Sequence, residues 1–107
     1  MMTDKELLEL AGKAADIPPR VIGAARGIYN CDERGWHSNW NPLKNDADAL
    51  RLAVKLRIDI YLSDSMVEAM SDSSPIMGET MDGALDAHAA TRRAIVRAAA
   101  AIGEQLP

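Results

Sequence analysis

Three arginines share one short stretch, Arg92, Arg93 and Arg97. On a helix, residues four apart point the same way, so Arg93 and Arg97 form a pair. A guanidinium is a fork of donors that matches phosphate or carboxylate. The cluster therefore predicts an anion site for a nucleotide-like ligand or an acidic partner. The alternative is a solvated face, with the arginines paired to Glu79, Asp82 or Asp86. Cys31 is the single cysteine, and His37 and His88 are the two histidines. A thiol with an imidazole beside it is a nucleophile and base in principle. No spacing supports that here: the chain lacks a phosphate-cradling glycine loop, a nucleophile elbow and paired Cys or His ligands. The expectation is a non-enzymatic protein with no catalytic residue, metal or cofactor.

Residues suited to docking are more plentiful. Tyr29, Trp36, His37 and Trp40 bring most of the aromatics together in sequence. Aromatics with polar tips favour interfaces, and they also anchor small hairpins to a core. Met66, Met70, Met77 and Met81 crowd one stretch. They read either as an adaptable binding surface or as filling for a core without phenylalanine. An acidic run extends from Asp64 to Asp86 and includes Asp72, Glu79 and Asp82. Such a run suits the basic groove of a partner. The predicted partner-binding residues are Tyr29, Trp36, His37, Asp72, Glu79, Asp82 and Asp86.

These groups need elements to hold them. Thr3-Asp4-Lys5-Glu6 matches a capping box and opens a helix from about Asp4 to Ala15, ended by Ile17-Pro18-Pro19. Val21-Ile22 and Gly27 to Cys31 read as short extended pieces. Asp32-Glu33-Arg34-Gly35 reads as a turn, and Trp36 to Ser38 as a returning strand. Arg57 to Leu62 alternates, with Ile58, Ile60 and Leu62 on one face and Arg57, Asp59 and Tyr61 on the other. Ser63-Asp64-Ser65 turns the chain into Met66 to Met70, an antiparallel partner. Pro75 to Met81 is a third strand or a loop. Asp86 caps a last helix from about Ala87 to Ile102, with its apolar stripe at Ala87, Thr91, Ala94, Ile95, Ala98, Ala101 and Ile102. Gly103 is expected to be its left-handed cap.

Between the first helix and the alternating strand lies Trp40-Asn41-Pro42-Leu43, followed by Asp48-Ala49-Leu50-Arg51-Leu52-Ala53-Val54-Lys55-Leu56. Asn41-Pro42 favours a turn. Asn45 or Asp46 caps the helix, and Trp40 is expected to pack under its start. The wide apolar arc, Leu50, Ala53 and Val54 beside Ala49, Leu52 and Leu56, predicts cover on more than one side. This box, with the closing helix Ala90-Thr91-Arg92-Arg93-Ala94-Ile95-Val96-Arg97 onward, resembles small bacteriophage and prophage accessory proteins described as α-β-α sandwich domains. The resemblance covers the first helix, the box and the last helix, roughly half the chain. It implies a phage or prophage origin and no particular chemistry, and it leaves specific function to the unmatched segments.

Length and charge bound the rest. The 107 residues suffice for one domain spanning 1–107. Twelve basic and sixteen acidic residues give a net charge of −4, which argues against a large direct nucleic-acid footprint. No apolar run approaches about 18 residues, and the start, Thr3-Asp4-Lys5-Glu6, is no secretion leader. The expected compartment is a bacterial host cytoplasm. The expected fold is α+β, a small antiparallel sheet of three to five short strands covered by about three helices. The central and last helices are expected to supply most of the cover. The expected function is stoichiometric inhibition of a host protein, with bacterial defence machinery such as CRISPR effectors as the target class. Two alternatives are a binder that sequesters a nucleotide signal through the arginines, and a homo-oligomeric assembly protein, for instance a homodimer.

Overall fold

Each helix starts where a polar side chain satisfies the free N–H groups of a first turn. The computed structural model describes residues 2–17, 40–80 and 86–107. Helix α1 is Asp4–Ala15, and its capping box is complete: Thr3 accepts from the Glu6 N–H, while Glu6 accepts from the Thr3 N–H at 3.1 Å. The bonds from Thr3 hold the Glu6 carboxyl below its ordinary pKa. Helix α2 is Asp46–Leu56, capped by Asn45, whose side chain accepts from the Asp48 N–H. Helix α3 is Ala87–Glu104, capped by Asp86, which accepts from the Ala89 N–H at 2.6 Å.

The turn before α2 is tied to the helix it introduces. The Asn41 N–H donates to Asp48 at 3.0 Å, and the Asn41 side chain accepts from the Leu43 N–H. Trp40 and Pro42 are buried beneath it. Three strands follow, β1 Asp59–Leu62, β2 Met66–Ser71 and β3 Ser74–Thr80, in an antiparallel meander of order β1-β2-β3. Its register pairs Ile60 with Ala69, Tyr61 with Glu68, and Val67 with Glu79. The stretch after Pro75 is thus a strand, one side of the choice that the sequence left open.

The helices all run in one direction. Asp4 of α1 meets Arg93 of α3, Leu10 meets Gly103, and Lys13 reaches the Leu106 carbonyl. At the start of α2, Asp46 meets Arg92; near its end, Lys55 donates to the Ala15 carbonyl of α1. The meander makes this possible, because three antiparallel strands carry the chain from the end of α2 back to the level of its start, where α3 begins.

Helix α3 is the hub. It lies across β2 and β3 on one side, and α1 and α2 pack on its other sides. Val67 and Ala69 of β2 are fully buried against it. Because three neighbours press on α3, its buried set is Ala90, Ala94, Ile95, Val96, Ala98, Ala99, Ala100 and Gly103. This corrects the narrower stripe expected from the sequence: Ala87 is exposed, and Ala90, Val96, Ala99 and Ala100 are inside.

Two further expectations are corrected. Gly103 does not end α3 in a left-handed turn; the helix continues through it to Glu104 and is capped at Gln105 in right-handed backbone. Its glycine serves close approach, since an added Cβ would lie 2.1 Å from the Leu10 carbonyl oxygen of α1. Helix α2 is covered on one side. Ala49, Leu52 and Ala53 are buried, whereas Leu50 and Val54 are 60% and 62% exposed. The sheet is therefore covered by α3, and α2 adds its burial to α3 instead of to the strands.

Candidate functional site

Strand alternation sorts the meander into two faces. Val67, Ala69, Met77 and Glu79 point toward α3. Tyr61, Met66, Glu68, Met70 and Ile76 belong to the opposite face, against which no described helix packs. Tyr61 is 60% exposed and Ile76 58%, while Met66, Glu68 and Met70 are half-buried by one another. Gly78 leaves room for a methionine here, as a Cβ on it would stand 3.0 Å from the Met66 methyl.

The meander is acidic throughout. Asp59, Asp64, Glu68, Asp72 and Glu79 lie between Ile58 and Thr80, a span with no Lys, Arg or His. Asp64 and Asp72 occupy the two turns at opposite ends of β2, and both are exposed. Glu68 lies between them on the open face, so a line of carboxylates extends roughly 20 Å along one strand. Glu79 differs from the rest. Its side chain is 14% exposed and is held by Arg97 and, at 3.6 Å, by Arg93. Asp86 is also engaged, as the cap of α3. Tyr29, Trp36, His37 and Asp82 lie outside the described residues, as do Cys31, Met81 and the hairpin expected before Trp40.

The arginines split into two groups. Arg92 donates to the Leu43 carbonyl at 2.9 Å and to Asp46 at 2.5 Å, fastening α3 to the turn before α2. Hydrogen bonding from Arg92, with the charge of His88 as a smaller contribution, lowers the Asp46 pKa. Arg93 and Arg97 face the other way. Arg93 pairs with Asp4 at 3.0 Å, and Arg97 donates to the Gly78 carbonyl at 2.9 Å as well as to Glu79. The three do not converge on one point.

Beside Arg93 and Arg97 a cleft of about 450 Å³ opens between α1, α3 and β3. Leu7, Met77 and Ala100 form its apolar wall, with Met2 at the edge. Nothing local in the sequence marks Leu7 or Ala100 as cleft residues, because the cleft exists only once α1 lies beside α3. Among the described residues, no three His, Cys, Asp or Glu side chains cluster to hold a metal ion, and no helix is long and apolar enough to cross a membrane. No protein-family model, curated protein or solved structure was found to match the chain.

Proposed function

We propose that the chain is a small non-enzymatic binding protein that docks on a basic surface of a host protein through the open face of its meander. The observation that carries this reading is the composition of that face: exposed Tyr61 and Ile76, adaptable Met66 and Met70, and carboxylates with no basic residue among them. Aromatic and methionine side chains supply contact area, and the uniform charge sets the sign of the partner. The resemblance to phage accessory proteins supplies the biological setting. The target is then a host nucleic-acid-handling protein, with a CRISPR-type effector as the leading class, bound one to one in the bacterial cytoplasm. The line of carboxylates along β2 competes with a phosphate backbone for the effector's groove.

Because Glu79 and Asp86 hold the fold together, the test uses the outward residues. Glu68→Lys and Tyr61→Ala are made separately, and target-DNA cleavage by purified CRISPR effectors is titrated with each protein. Wild type is expected to block one effector stoichiometrically, with weaker inhibition at high salt. Each variant is expected to keep its melting temperature and lose about tenfold in potency. Equal potency of the variants would sink the docking face, and uninhibited cleavage by every effector would sink the target class.

A second reading has one observation of its own. Leu50 and Val54 stand one helical turn apart on α2, both exposed, and such a pair fits a homodimer seam. Light scattering at high concentration decides it: a monomer there removes the assembly reading.

A further inference from the structure

We propose that the cleft between α1, α3 and β3 binds a small molecule with an apolar body and one anionic head group, the head held by Arg93 and Arg97. This site lies on the covered side of the sheet and does not depend on the docking face. A cleft of about 450 Å³ falls within the size of small-ligand pockets. Leu7 and Ala100 make a fixed apolar wall, and Met77, with its flexible thioether, adjusts to the body of a guest.

The head-group chemistry follows from the donor count. Each guanidinium has five N–H donors. Arg97 spends Nη1 on both Gly78 and Glu79. Its Nε and Nη2 make no hydrogen bond among the described residues, and neither does Nη2 of Arg93. Charge points the same way. Two guanidiniums share the single carboxylate of Glu79, and the Asp4 side chain that also meets Arg93 is 63% exposed and so well screened. With Glu104 also on the cleft lining, the cationic and anionic side chains there balance, so the free guanidinium donors take one negative charge at most. A second would face Glu104. The site therefore selects a singly charged head over a polyphosphate, which separates it from a nucleotide pocket. Arg92 takes no part, being fastened to Asp46 and Leu43.

Decanoate is the probe, with decanol as the uncharged control and AMP as the anion without an alkyl body. Methyl NMR of Met77 reports occupancy in the full chain. Decanoate is expected to shift the Met77 methyl saturably, decanol and AMP at least about tenfold more weakly. Arg97→Gln is expected to weaken decanoate about tenfold. Glu79→Gln is expected to strengthen it several-fold, because it removes the carboxylate that competes with the guest for the guanidiniums. That gain is opposite in sign to what a purely structural ion pair would give. Met77→Trp, which fills the cleft and is read at the Met2 methyl, is expected to block binding and serves if Arg97→Gln does not fold. No Met77 shift with decanoate, equal binding of decanol, or unchanged or weaker binding to a Glu79→Gln protein that keeps a cooperative melting transition would each overturn the proposal.

Discussion

Gly103→Ala tests the arrangement on which the whole fold depends. The added methyl would sit 2.1 Å from the Leu10 carbonyl oxygen and 2.8 Å from its carbon. Ordinary contact begins near 3.4 Å, so α1 and α3 must part by roughly 1 Å. A gap of that size forfeits a quarter to a half of each dispersion contact along the seam, and the seam contains Leu7, Ala11, Ala99 and Ala100. Overpacking of this kind costs about 3 kcal/mol at the upper end of its usual range. Alanine returns about 1 kcal/mol through helix propensity, since Gly103 lies inside α3. The net loss is about 2 kcal/mol, read as a melting temperature roughly 10 °C lower in a chain of this size. The assay is thermal and denaturant unfolding of wild type, Gly103→Ala, and Gly103→Ala combined with Leu10→Ala. The clash is with backbone, so trimming the Leu10 side chain brings no recovery. A Gly103→Ala protein as stable as wild type would refute the close crossing, and recovery in the double variant would place the contact on the side chain.

Other consequences are more local. Val67 is fully buried between the sheet and α3, so Val67→Ala should cost roughly 2 kcal/mol in urea unfolding. Asp86→Ala removes the cap of α3 and should cost about 1 kcal/mol, with amide exchange faster in the first turn of that helix. The Asp46 pKa is lowered in the fold, so its contribution is complete above the ordinary aspartate range and is lost as pH falls through the lowered value. The deficit of Arg92→Gln should accordingly be largest at neutral pH and shrink on acidification, and the Asp46 carboxyl should titrate nearer its ordinary value in that variant by NMR. A deficit that grows toward acid pH would contradict the pairing. Leu50→Glu should leave the melting temperature unchanged, because that side chain faces solvent.

The legible parts of the fold were those written in local chemistry. The capping box marks the start of the first helix and Ile17-Pro18-Pro19 its end, and Asn45 and Asp86 announce the other two starts. The alternation from Ile58 to Leu62 sets which residues share a face, and so it placed Tyr61 away from the core. Alanine was the obstacle in α3. An alanine suits a solvent face or a tight interface equally, so a helix rich in it does not disclose that three neighbours press on it. Gly103 misled for a related reason, because glycine near a helix end serves either a turn or a close crossing, and only the partner helix decides. The pair Arg93 and Arg97 was readable from its spacing, and Glu79 stood among its candidate partners. The cleft beside them was not readable, since Leu7 and Ala100 meet across nearly the full length of the chain.

The seam between α1 and α3 also governs the order of events at the ribosome. The Asp4–Arg93 and Lys13–Leu106 contacts join residues separated by 89 and 93 positions. Helix α1 emerges well before α3, the partner that covers it. At about 5–20 residues per second, Leu7, Leu8 and Ala11 wait on the order of ten seconds without the surface that buries them. In that interval the nascent chain offers an uncovered apolar stripe to any chaperone at the exit site. A stalled or truncated product that lacks α3 should remain bound there instead of folding.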